Sequence, residues 1–158
     1  GSGYCLAMQD RFESWYIADL ACHRGHRFTA TAADDFHGME GRPEFQAGWV
    51  WVKAQENEPN QLVAALKAGQ FYSSSGPRIF DVAVDPPGLV RVACDPVEFV
   101  AATGTGSQLK SVCSPATTEV ELDISRLRTP YIRVTIRDPS GGRAWTNPIW
   151  LDDRGPSN

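Results

Sequence analysis

The chain has little of what usually announces a function. It lacks any apolar run near the roughly 20 residues that a membrane-spanning helix needs, so no membrane role is expected. Lysine and arginine total 15 against 19 aspartates and glutamates, a net charge of −4. That balance leaves no basic footprint, and a nucleic-acid partner is not expected. The opening G-S-G-Y-C-L-A-M-Q-D has neither the basic stretch nor the apolar stretch of a secretory signal. If the chain is complete, a cytoplasmic location follows. Cysteine is sparse: Cys5, Cys22, Cys94 and Cys113 form no C-x-x-C pair. Their even number permits disulfides without requiring them, and reduced structural thiols are expected ahead of a zinc site. Histidine is rarer still, with only His23, His26 and His37. No Ser-His or Cys-His nucleophile arrangement emerges from so few.

What is present is an ordinary globular composition, 42% apolar and 22% charged over 158 residues. That is enough chain for one domain or two small ones. Asp10 to Arg24 carries helical spacing, with Phe12, Tyr16 and Leu20 on one line and Gly25 as a stop. C-H-R-G-H-R straddles that stop, where cationic side chains suit a helix C-terminus, so His23 and His26 read as capping or surface residues. Phe28 to Ala33 reads as a short strand that is apolar or small on both faces, which suits a sheet covered on both sides. W-V-W-V-K-A follows as a β-rich run, and Asn57 to Gly69 as a helix, with Pro59 in its first turn and Gly69 after its end.

After Gly76-Pro77 the pattern changes to short alternating runs, I-F-D-V-A-V, L-V-R-V-A, V-E-F-V-A, E-V-E-L-D-I, Y-I-R-V-T-I-R and A-W-T-N-P-I-W-L, separated by turn residues. These runs predict an antiparallel β unit. The expected fold is therefore an α/β partial (β/α) barrel segment over residues 1–77, followed by a small antiparallel all-β, sandwich-like domain over 78–158.

The chemistry centres on T-A-A-D-D-F-H-G, residues 31–38. If a strand ends at Ala33, alternation sends Asp35 and His37 to one side and Asp34 and Phe36 to the other. A carboxylate and an imidazole so placed are suitable donors for Zn, Mn or Fe, with Asp34 orienting a ligand or holding the turn. The same residues also suit a plain loop, because Asp is favoured in Asx turns. Two ligands are fewer than a catalytic metal site usually takes. Ser73, Ser74 and Ser75 line a polar site or form a loop. They lack the strand-G-x-S-x-G-helix setting of a hydrolase nucleophile.

In order along the chain, R-G-H-R-F-T-A-T-A-A-D-D-F-H, G-W-V-W-V-K-A, L-V-A-A-L-K-A-G-Q-F-Y-S-S-S-G-P, I-F-D-V-A-V and Y-I-R-V-T-I-R-D-P-S-G-G-R-A-W-T-N-P-I-W resemble the C-terminal part of PHP-type (polymerase and histidinol phosphatase) metallohydrolases. Within them they resemble the carbaryl-hydrolase-like branch. The likeness spans about Arg24 to Leu151. It implies Asp35 and His37 as metal ligands with Asp34 beside them, and a divalent Mn, Zn or Fe in the parent protein. It also implies hydrolysis of a small phosphoester or other ester through a metal-activated hydroxide. The family's early H-x-H, its middle Glu and its further histidines have no counterpart here, and Phe36 replaces a small residue. The resemblance thus implies a C-terminal part, inactive by itself, that associates with the missing N-terminal part of the domain or with another copy. The competing reading is a non-catalytic interaction module in the β-rich half, with Phe80, Phe99, Tyr131, Trp145 and Trp150 as a binding face or, ahead of that, as core.

Overall fold

A computed structural model describes residues 14–34, 36–38 and 45–151. Its elements are α1 (Trp15–His23), β1 (Trp49–Val52), α2 (Pro59–Lys67), β2 (Phe71–Ser74), β3 (Ile79–Asp85), β4 (Leu89–Thr103), β5 (Leu109–Asp123), β6 (Tyr131–Arg137), β7 (Arg143–Thr146) and β8 (Ile149–Trp150). Both helices fall where their periodicity and punctuation put them. Gly25 and Gly69 follow them with φ of +84° and +70°, a left-handed conformation that glycine adopts without a Cβ penalty.

The strands form a single antiparallel sheet in the order β1-β2-β7-β6-β4-β3, with β5 also on β4 and β8 on β6. Among the described residues strand accounts for 44% and helix for 14%, and the sheet curls into a half-barrel. This corrects the expected partial (β/α) barrel segment followed by a sandwich-like domain. A (β/α) unit needs a helix that carries the chain back along the strand so that the next strand runs parallel. Here β1 ends at Val52, α2 follows, and β2 begins opposite the same residue, with Val52 paired to Phe71. The helix sits inside an antiparallel connection and not in a crossover. Strands from either side of residue 77 belong to the same sheet, since β2 pairs with β7 through Tyr72–Thr146, Ser73–Trp145 and Ser74–Ala144.

The curl comes from two long strands. Leu89 to Thr103 is one strand where two short runs are expected, and it bends where its register with β5 shifts between Ala93 and Val97 and again before Phe99. Such shifts admit an extra residue and increase local twist. The first half of β4 pairs with β3, and the second half pairs with β6. One face of this folded sheet holds the core: Val90, Val92, Val97, Val100, Ala102, Val134, Ile136 and Ala144. The registers Val100–Ile136–Ala144 and Ala102–Val134 place these side chains on shared rows of that face.

The other face carries Ser73, Trp145, Thr135 and Ala101 in one row, with Arg133 opposite Thr103 in the next. Here α1 packs, which explains why nearly every residue of β6 is buried on both sides. Of the candidate aromatic face, Tyr131 is fully buried, while Phe80 is 60% exposed and stacks under the Arg78 guanidinium.

Three cysteines are described and all are free thiols, with Cys22 and Cys94 buried and Cys113 exposed. Burial, with Asp95 adding to it, pushes the Cys94 thiol up to about 11. Thiolates, not thiols, react. Iodoacetamide at pH 8 should therefore alkylate Cys113 in the native protein and spare Cys22 and Cys94 until denaturant is added, read by peptide mass spectrometry. Replacing Ile136 by Ala in the fully buried core should lower the urea unfolding free energy by about 3 kcal/mol.

Candidate functional site

The segment from Phe28 to Ala33 lies over the helix-covered face and belongs to none of the sheet's strands. Side chains, not a backbone ladder, hold it. The Ala32 N–H donates to Ser73 Oγ at 2.9 Å, and that hydroxyl donates to the Ala30 carbonyl at 3.0 Å. The Ala30 N–H donates to Asn147 Oδ1 at 3.0 Å. The Asn147 amide in turn donates to the carbonyls of Gly69 and Phe71, at 3.2 and 2.9 Å. One hydroxyl thus bonds a carbonyl and an N–H two residues apart, as a neighbouring backbone residue does in a ladder. The strand expected at Phe28 to Ala33 is thus not formed, and the segment is docked on the sheet by side chains instead.

Beyond it, Asp34 Oδ2 accepts the Gln46 N–H at 3.2 Å. Gln46 has φ +57°, an uncommon conformation outside glycine, and the carboxylate caps that turn. Asp34 therefore serves the loop. Asp35 lies outside the described residues. His37 is exposed and is followed by Gly38 at φ +68°. Phe36 is 55% exposed and meets Phe45 edge-on with ring centroids 5.7 Å apart.

Among the described residues no group of three or more His, Cys, Asp or Glu side chains converges. Imidazole and carboxylate are the right donor types for a divalent ion. These residues nevertheless supply at most a share of such a site.

The three serines separate. Ser73 and Ser75 line a cleft of about 460 Å³ between α1, the extended segment and the sheet, along with Trp15, Ala18, Ala32 and Trp145. Ser75 Oγ accepts the Arg143 N–H at 3.0 Å. Ser74 is fully buried, donates to the Pro77 carbonyl at 2.8 Å and accepts the Gly76 N–H at 3.0 Å. The hydroxyls of Ser73 and Ser74 are thus engaged with backbone, and each fixes a chain segment. A nucleophile would need a base, and neither serine has one among these partners.

The wall of the cleft depends on Arg133 and Asp19, which sequence reasoning did not single out. Arg133, 6% exposed, donates from one terminal nitrogen to Asp19 Oδ2 at 2.9 Å and from the other to Thr135 Oγ1 at 2.8 Å. Its guanidinium carbon sits 4.2 Å from the Trp15 ring centroid. The Nε of Arg133 is buried without a hydrogen-bond partner. Tyr131 donates from its hydroxyl toward Asp19, with 3.2 Å to both the backbone carbonyl and Oδ1. Burial, and then the Asp19 charge, push the Tyr131 phenol well above its ordinary pKa. It is a neutral donor at any physiological pH. The only sequence signal was a charged residue inside the alternating run Y-I-R-V-T-I-R, on a strand otherwise buried. Nothing local in the sequence connects Arg133 to Asp19.

Removing one partner of a buried pair leaves an uncompensated charge, whereas replacing both by apolar groups is often neutral. Asp19→Ala should therefore lower unfolding free energy by roughly 3 kcal/mol, measured by urea titration. Adding Arg133→Met should restore much of the loss. Comparison with protein-family models, with curated proteins and with solved structures finds no match to this chain.

Proposed function

We propose that this chain is the C-terminal part of a PHP-type metal-dependent hydrolase, in which Asp35 and His37 contribute to a divalent-metal site completed by other parts of that domain. The observation that carries this reading is how the segment before the motif is used. Ala30 and Ala32 are tied to Ser73 and Asn147, and Asp34 is occupied by Gln46. These bonds hold the chain that leads directly into the Asp-Asp-Phe-His motif against the sheet. Bound there, a Mn, Zn or Fe ion would supply a Lewis acid and an activated water for attack on a small ester. The part of this chain in that reaction is to hold the ligand-bearing loop through Ser73, Asn147 and Asp34.

A second feature supports association with further polypeptide. The inner side of α1 carries Trp15, Asp19 and Cys22 against the sheet, yet Tyr16 and Ile17 on its other side are 75% and 70% exposed. A helix that is apolar all round normally lies inside a larger assembly.

Titration calorimetry of the full chain with Mn or Zn should show weak binding. That binding should be lost in the Asp35→Ala, His37→Ala double variant while the circular dichroism spectrum is retained. Undiminished binding by the double variant would sink the ligand assignment.

A further inference from the structure

Along β6, alternation turns Arg133, Thr135 and Arg137 to the face that α1 covers, while Ile132, Val134 and Ile136 turn to the core. The register sets Arg143 opposite Arg137 and Trp145 opposite Thr135 on β7, with Phe99 opposite Arg137 on β4. One face thus places arginines beside flat aromatic rings. Two cavities open on it, of about 460 and 380 Å³. Trp15, Arg143 and Trp145 border both, so the two adjoin as one groove beneath α1.

The chain as a whole is acidic, with a net charge of −4. Yet no aspartate or glutamate is among the described residues that line either cavity. A separate cavity of about 490 Å³ over β3, β4 and β5 shows the contrast, with Asp81, Glu119 and Glu121 in its lining beside Arg91. Arg133 borders the smaller cavity of the groove and is 6% exposed. Only one N–H on each of its terminal nitrogens has a partner, in Asp19 and Thr135, and its Nε has none. Buried donors in native proteins are otherwise paired, by protein, water or a bound group. The indole N–H groups of Trp15 and Trp145 also lack a protein partner among the described residues.

We infer that this groove binds a small organic monocarboxylate with a flat apolar body, the carboxylate toward Arg133 and the body against Trp145 and Phe99. The edge of a guanidinium matches a carboxylate in shape and charge. Asp19 already offsets part of the Arg133 charge, so what remains suits one negative charge and not the two of a phosphate dianion. The rings pack against a flat body, and the indole N–H groups add donors. A cavity of about 380 Å³ lies in the size range of small-molecule sites, which pair apolar walls with a few polar groups. The inference uses neither Asp35 nor His37, and it stands or falls apart from the hydrolase reading.

Benzoate, its neutral isostere benzamide and inorganic phosphate are the probes, each titrated into the full chain labelled with nitrogen-15. The chain has five tryptophans, and their indole N–H signals report separately. Benzoate should move the signals of Trp15 and Trp145. Those of Trp49 and Trp51 should stay in place, because Val50 shares the Ser73–Trp145 row and alternation turns its two neighbours to the other face. Benzoate should bind about tenfold or more tighter than benzamide, the difference that a hydrogen bond to a charged group makes. Phosphate should move neither signal. The double variant Asp19→Ala, Arg133→Met removes the guanidinium without leaving a buried charge. In it the advantage of benzoate over benzamide should vanish while benzamide still binds. The tryptophan shifts in the unaltered chain test the site whether or not that variant folds. No benzoate binding, equal affinity for benzamide, equal shifts with phosphate, shifts confined to other tryptophans, or an unchanged preference in the folded double variant would each overturn the proposal.

Discussion

The contact between Arg133 and Asp19 governs how the first third of the chain meets the rest. A guanidinium in the middle of a buried strand is costly unless its charge and its N–H groups are matched. The match is a carboxylate from a helix 114 residues earlier, a threonine hydroxyl two residues on, and a tryptophan ring. The strand β6 can be buried on both faces only because α1 brings Asp19 to it. The helix in turn has its place on the sheet because Arg133 cannot be left unpaired. From that contact follow the position of Trp15, the wall of the cleft, and the route of the chain as it leaves the helix at Gly25.

What comes next along the chain repeats the same logic in neutral form. The extended segment after α1 has backbone groups that need partners, and Ser73 and Asn147 provide them from the sheet. A hydroxyl and an amide substitute for a neighbouring strand along one edge. They hold the stretch that leads into the D-D-F-H motif against the sheet. The metal-ligand reading thus rests on a segment that side chains tie to the sheet. Small residues make the close approach possible, since a Cβ on Gly48 would stand 3.2 Å from that of Ala32.

Much of the local structure is legible in the residues. Proline at the start and glycine after the end bracket α2, and alternation marks β3, β6 and β7. These are signals carried by neighbours in sequence, and they hold because each depends on one turn or one pleat. The architecture is less legible. A helix between two strands suggests a crossover, yet Val52 opposite Phe71 makes β1 and β2 antiparallel. Nothing within the run W-V-W-V states which end of the next strand it will meet. Likewise L-V-R-V-A and V-E-F-V-A read as two strands around Asp95-Pro96, whereas register shifts let one bent strand run through both.

For the candidate site, the sequence by itself determined which chemistry is on hand: two adjacent acids and a histidine after a β-prone run, and serines that could line a cleft. It determined this because side-chain type and alternation are local properties. Only the tertiary structure decided their duties. Asp34 caps a turn, Ser73 stands in for a strand and Ser74 braces a loop, while Arg133 and Asp19, unremarked in sequence, lock the helix to the sheet. The reason is physical. A polar group in a folded chain is committed to whichever partner burial forces upon it, and that partner is chosen by contacts across many residues.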